Sequence, residues 1–215
     1  HRVHRRQRQM CIRDRVACED ADAMVTGNTR RYSSSLEKII KVVDPRQGEI
    51  MFGLNLIVNR GKTIFLCDTS VIEYPDAKQL AEMAKSAARV VRLFGFDPKI
   101  AFLSHSTFGE PATDRTKRLS DAVEILKKDN VDFKFDGEMQ PDVALEEVYK
   151  ELYPFSEIVG SSNVLIMPSQ HSAAISYKMI KSMSRAKVIG PLLVGLGQPI
   201  AVSYTHLRAH ETLPY

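Results

Sequence analysis

The stretch from Ser162 to Gln198 constrains the fold of this chain more than any other. Val164-Leu165-Ile166-Met167 is a short apolar run that breaks at Pro168 into the polar Ser169-Gln170-His171-Ser172, and apolar residues resume at helical spacing from Ala173 to Ile180. A second apolar run, Val188 to Leu196, is punctuated by Gly190-Pro191 and Gly195. Strand, loop, helix and strand in that order read as a βαβ unit whose strands are covered on both faces. In open parallel sheets ligands sit outside the carboxyl ends of the strands, so Ser169, Gln170, His171 and Ser172 form the first candidate site.

The rest of the chain has the material for such a sheet. With 215 residues, 44% of them apolar, it can bury a substantial core in one or two domains. No apolar run approaches the roughly 18 residues of a membrane span, and the N-terminus lacks the apolar core of a signal peptide. A cytoplasmic protein with no membrane partner is expected. Cys11, Cys18 and Cys67 are too few and too scattered for a disulfide framework or a paired metal site. The net charge of +4 is unevenly placed: residues 1–15 carry six arginines against Asp14 alone, which leaves the remainder at −1. An Arg-rich tail can bind nucleic acid, but no other part of the sequence reads as a basic face with stacking aromatics, and no nucleic-acid partner is expected. Residues 1–15 and 203–215 resemble translated sequencing-adapter read-through. They are expected to add nothing to the fold, and about 16–202 reads as an internal fragment.

Taken in order, Ser34 with Glu37 has the spacing of a capping box, followed by Leu36, Ile39, Ile40 and Val43 at helical spacing until Asp44-Pro45. Ahead of it lies Thr26-Gly27-Asn28-Thr29-Arg30-Arg31-Tyr32, where Arg31 either clamps a phosphate or is a solvated loop charge. Met51 to Val58 and Thr63 to Cys67 read as a hairpin around Asn59-Arg60-Gly61-Lys62. Gly61-Lys62-Thr63 is not a P-loop, since Leu56 stands where the glycine five residues earlier is required and a strand follows instead of a helix. Asp68, at the end of the second strand, either meets a ligand or caps a turn.

A long helix starts at Asp76 with Gln79 and carries Leu80, Ala84, Ala87, Val91 and Phe94 to Gly95. The strand Lys99 to Leu103 delivers Ser104-His105-Ser106-Thr107-Phe108-Gly109, hydroxyls that suit a phosphate or pantetheine-like ligand or simply satisfy turns. His105 has no acid near it in sequence, so a catalytic triad is unsupported. A helix marked by Leu119, Ala122, Val123 and Leu126 leads to a strand from Val131 to Phe135, which is expected to end at Asp136-Gly137-Glu138-Met139-Gln140-Pro141. Paired acids there can do acid–base work or hold a metal, although Gly137 and Pro141 explain part of the pattern as a turn and a helix start. Val143 to Leu152 reads as an amphipathic helix through Val148 and Leu152. Gly195-Leu196-Gly197 is an incomplete dinucleotide fingerprint, with Ile200 in the third glycine's place.

Together, the stretches from Leu103 to Gly109, Asp136 to Gln140, Asn163 to Pro168, Tyr177-Lys178 and Ile189 to Gly195 resemble the phosphate acetyl/butyryltransferase family over nearly all of 16–202. Arg31-Tyr32, Met139, Tyr153-Pro154-Phe155-Ser156 and the variant Pro168-Ser169-Gln170-His171-Ser172-Ala173 resemble one branch, the C-terminal domain of bacterial NADP-dependent malic enzymes. The resemblance implies an α/β fold: a three-layer αβα open, mainly parallel sheet, the isocitrate/isopropylmalate dehydrogenase-like second domain of a phosphate acyltransferase. Residues 16–43 would end the first domain, 44–198 would form the second, and 199–202 would begin a truncated return to the first.

It also implies coenzyme A or acetyl-CoA as ligand, with NADP and a divalent metal confined to a malic domain outside this chain. Acyl-CoA or acyl phosphate would be the small-molecule partner of a homo-oligomeric parent. Arg31, Asp68, Ser104, Ser106, Thr107, Asp136, Glu138, Gln140, Ser169, Gln170 and His171 are the implied contacts, none of them catalytic. Two functions follow: an acetyl-CoA-sensing module of a malic enzyme, or an active phosphate acyltransferase. The Pro168 to Ala174 variant favours the sensor. The family's thiol-activating Asp and Ser-Arg pair lie beyond Pro199-Ile200, so this chain by itself is expected not to turn over. Finally, the loops at 67–69, 104–109, 136–140 and 169–172 are expected on one edge of one sheet.

Overall fold

The computed structural model describes residues 16, 18, 20–26 and 32–202. Arg31 and both terminal segments set aside above lie outside the described residues. Two compact units divide the chain: Phe52–Ile189, and the described residues before Phe52 together with those from Gly190 onward.

In the smaller unit, β1 (Met24–Thr26) pairs in parallel with β8 (Ile200–Val202), which pairs antiparallel with the end of β7 (Lys187–Val194). Helix α1 (Tyr32–Ile40) begins two residues before Ser34, so the Ser34 to Glu37 spacing lies inside the helix and does not start it. Gly195 sits at φ +86 with a Cβ position only 2.1 Å from the Ile50 carbonyl oxygen. The chain is pinned there by Arg46 N–H donating to the Gly195 carbonyl at 2.9 Å and Gly197 N–H to the Asp44 carbonyl at 3.0 Å. Backbone approach within the unit therefore accounts for the glycine that resembled a dinucleotide fingerprint.

In the larger unit, β2 (Phe52–Asn59) and β3 (Lys62–Cys67) form the expected hairpin, and the strand order is β2-β3-β6-β4-β5. Here β4 is Lys99–Leu103, β5 is Lys134–Met139 and β6 is Val164–Ile166. The pairings β3–β6, β6–β4 and β4–β5 are all parallel, with Cys67 beside Ile166, Phe102 beside Ile166 and Leu103 beside Met139. Their carboxyl ends therefore share one edge, as expected. Because β6 lies between β3 and β4, β7 is not its neighbour, and the βαβ reading of 162–198 keeps its order of elements but not adjacent strands.

Helices α2 (Ala77–Leu93), α3 (Asp114–Lys128), α4 (Pro141–Leu145) and α5 (Gln170–Met183) cover the two faces of this sheet. Side chains alternate along a strand, so Ala101 and Leu103 point one way, into a cluster with Val143, Ala144, Ala173 and Tyr177 from α4 and α5. Ile100 and Phe102 point the other way, toward Leu80, Met83, Ala87 and Val91 of α2 and Leu119, Ala122 and Leu126 of α3, all buried. Phe65 on that second face packs at 5.7 Å and 5.6 Å against Phe94 and Phe96, where α2 ends.

Two further departures from the sequence reading lie in this unit. β5 covers Lys134–Met139 rather than ending at Asp136, because one extra residue is inserted opposite Phe102 and Leu103. That bulge needs Gly137: its φ is +143, and a Cβ there would stand 2.9 Å from both the Cβ and the carbonyl oxygen of Phe102. The amphipathic helix expected to Leu152 stops at Leu145, continues as a short 3-10 turn (Glu147–Lys150), and leaves Val148 and Leu152 about two-thirds exposed. Among the described residues no helix is long and apolar enough to cross a membrane.

Candidate functional site

The shared carboxyl edge gathers the loops after β3, β4, β5 and β6 around a cleft of about 370 Å3 within the larger unit. Its floor is Leu103, Leu119 and Met167, and its walls carry the hydroxyls of Ser104, Thr116, Ser169 and Ser172. His105, Tyr74, Arg115 and Arg118 complete the polar lining, and no carboxyl group lines the cleft.

Arg118 organises one wall. Its guanidinium donates to the Pro75 carbonyl and, at 2.9 Å, to the Pro168 carbonyl, and it lies 3.7 Å over the Tyr74 ring. This ties the β3 exit to the β6 exit, next to the Gln170 N–H that donates to the Glu73 carbonyl at 3.1 Å. Burial holds the Arg118 group below its usual basicity, yet a guanidinium stays charged at neutral pH. Arg115 stands one turn away on the same helix face, with no ion-pair partner among the described residues, free to meet an anion. α3 starts at a reciprocal cap in which Thr113 and Thr116 exchange side-chain and backbone bonds, and this cap turns the first-turn residues into the cleft.

Among the implied contacts, Ser104 and Ser169 line the cleft. Ser169 caps α5: it accepts the Ser172 N–H at 3.2 Å, while the Ser172 hydroxyl donates back to the Ser169 carbonyl at 2.8 Å. The stretch expected to be a loop is thus the first turn of α5. Gln170 and the exposed His171 belong to that turn, outside the cleft lining.

The other implied contacts have structural duties. Asp68 is buried and takes four backbone N–H donors, from Gly53 at 2.6 Å, Ser70 at 2.9 Å, Val71 at 3.2 Å and Ile72 at 2.6 Å. Burial pushes its carboxyl group upward against the downward pull of those donors. Of its two readings, the turn cap is the one the geometry supports. Glu138, also buried, is the bulge residue of β5; it accepts from Ser106 Oγ at 3.1 Å, Gly109 N–H at 2.8 Å and the Ser120 hydroxyl. Ser106 is fully buried in this network. Thr107 accepts the Gln140 N–H at 3.3 Å, and Gln140 in turn donates to the His105 carbonyl at 3.0 Å. Asp136 faces away from the cleft, into a separate groove with Phe108, Lys127 and Phe155. No group of three or more His, Cys, Asp or Glu that could hold a metal occurs among the described residues.

The residues that sequence reading missed are Tyr74, Arg115, Thr116 and Arg118. The available signal was the cluster Arg115-Thr116-Lys117-Arg118, a few residues after the hydroxyl-rich loop that ends at Gly109.

The family model for phosphate acetyl/butaryl transferase matches residues 3–205. The chain belongs to this family. The NADP-dependent malic enzyme of Rhizobium meliloti is 44% identical over 188 residues, 87% of this chain but 25% of that protein. A phosphate acetyl/butaryl transferase match of the shorter kind is the phosphate acetyltransferase of Bacillus subtilis, 31% identical across 84% of this chain and 56% of its own length. Among solved structures, a phosphotransacetylase from Streptococcus pyogenes superposes with a TM-score of 0.81 at 29% identity, covering 86% of this chain and 58% of that one. The chain thus spans about a quarter of the malic enzymes it matches and somewhat over half of the transacetylases. The mixed α/β sheet described above is the transacetylase fold.

Proposed function

We propose that this chain is part of the transacetylase-like domain of an NADP-dependent malic enzyme, with the architecture of an isocitrate/isopropylmalate dehydrogenase-like second domain, and that it binds acetyl-CoA to regulate the dehydrogenase. The observation that carries this reading is the chemistry of the cleft. Two guanidiniums and five hydroxyl-bearing residues, Tyr74 among them, surround an apolar floor with no carboxyl group among them. Such a lining holds a phosphate-bearing, partly apolar ligand. It does not pair an acid with a base, because Asp68 and Glu138, the buried carboxyl groups of this edge, are filled by structural donors. The 44% identity with the Rhizobium malic enzyme, against 31% with the Bacillus transacetylase, points the same way. NADP and a divalent metal would then serve the dehydrogenase portion, and the parent would be a cytoplasmic homo-oligomer.

The alternative is an active phosphate acyltransferase, favoured by family membership itself. The complete reading frame, expressed and purified, separates the two. Malate-dependent NADP reduction that responds to acetyl-CoA, with the response lost in Arg115→Gln, supports the regulatory reading. Loss of coenzyme A thiol in the presence of acetyl phosphate, without malate-dependent NADP reduction, overturns it.

A further inference from the structure

The opposite edge of the larger sheet carries a second groove, of about 680 Å3, lined by Asn59, Arg60, Ser182, Met183, Ser184 and Arg185. It lies where the β2–β3 hairpin turns and α5 ends, at the amino end of β3, and so at the far end of the strands from the cleft. The hairpin is a two-residue turn: Asn59 pairs with Lys62, and Arg60 and Gly61 both have positive φ, 48° and 80°. A turn of that kind favours Asn-Gly, and a left-handed arginine is an uncommon occupant whose occurrence calls for a reason outside local conformation.

The charge around it supplies one. No acidic residue occurs from Ile50 to Cys67 or from Ile158 to Val202, whereas Arg60, Lys62, Lys178, Lys181, Arg185 and Lys187 fall in those segments. Among the described residues Arg60, Lys62, Arg185 and Lys187 have no ion-pair partner. Folding thus brings Arg60 and Arg185, more than a hundred residues apart in sequence, to one groove. The last turn of α5 contributes partial negative charge. Part of it is quenched where the Ser184 hydroxyl donates to the Ile180 carbonyl at 2.7 Å, so an anion here is held by side chains and not by the helix end.

We infer that this groove binds a small molecule carrying two or more phosphate groups, with Arg60 and Arg185 as its forks. Each planar guanidinium can take one phosphate through paired N–H donors. The volume lies within the roughly 300–1,000 Å3 of small-molecule sites and exceeds what one phosphate fills. The inference is independent of the proposed function, since it concerns the other end of the sheet.

The test is calorimetric titration of the purified chain with inorganic pyrophosphate at low salt, alongside single phosphate. In the Arg115→Gln background, which removes the cleft's own free guanidinium, pyrophosphate should bind one to one and more tightly than phosphate, and should weaken as salt is raised. Added to that background, Arg60→Asn and Arg185→Gln should each lower affinity about tenfold or more. Arg60→Asn also puts the preferred residue into the turn, so its thermal midpoint should equal or exceed that of the unaltered chain, separating lost binding from lost fold. Binding that survives both groove substitutions, that disappears only in Arg115→Gln, or that is absent up to millimolar pyrophosphate overturns the inference.

Discussion

Asp68 and Glu138 are both buried carboxyl groups at the cleft edge, but they are satisfied by different donors, and that difference predicts unequal costs of neutralising them. Every donor to Asp68 is a backbone N–H, three on the turn that follows β3 and one, Gly53, on β2, and both of its oxygens are used. Asp68→Asn therefore aims an amide N–H2 at a donor that cannot rotate, and should cost about 2–3 kcal/mol in a denaturant titration. Two of the three donors to Glu138 are hydroxyls, which can turn and accept instead. Glu138→Gln should cost about 1 kcal/mol, and equal losses at the two positions would contradict this account. Sequence showed that acids stood at strand ends but not what filled them. Asp68 and Glu138 find their donors in residues up to 32 positions away, a distance over which local pattern carries no information.

At the level of elements, helix starts and hairpins were legible because their determinants are local. The Asp76 to Gln79 capping box and the Gly95 stop bound α2 as read, and the turn at Arg60-Gly61 closes the expected hairpin. β5 was misjudged because Lys-Phe-Asp-Gly-Glu-Met lacks clean alternation: the bulge moves a buried acid out of phase. Gly137→Ala tests this directly. A methyl group there meets the Phe102 backbone and takes up a strained φ, so a loss of about 3 kcal/mol or more is expected in thermal or chemical unfolding. The helix expected over 143–152 failed for a related reason. The Val148 and Leu152 spacing is helical, but the chain turns extended at Glu146, φ −108 and ψ 123, and those side chains meet solvent. Thr113→Ala, which removes the cap of α3, should cost about 1 kcal/mol.

Across the whole molecule, parallel strands put the hydroxyl loops on one edge as the sequence implied, but which residues line the cleft depended on how the helices lie against that edge. Arg118 is the clearest case, because its two carbonyl partners lie 43 and 50 residues away in opposite directions along the chain. Arg118→Met keeps much of the aliphatic bulk and removes both ties. Amide exchange at Gln170 should then accelerate at least several-fold while the core strands keep their protection, and unchanged exchange would show the tie to be idle. The same geometry sets when the cleft can exist. One wall comes from the exit of β3, the middle from α3 and the far wall from the exit of β6, so a growing polypeptide that has emerged only to α3 already holds both arginines but has nothing for Arg118 to grip on its far side. The site is closed only once β6 and the first turn of α5 have been made, and its ligand can select only chains in which the parallel strands β3, β6, β4 and β5 are all in place.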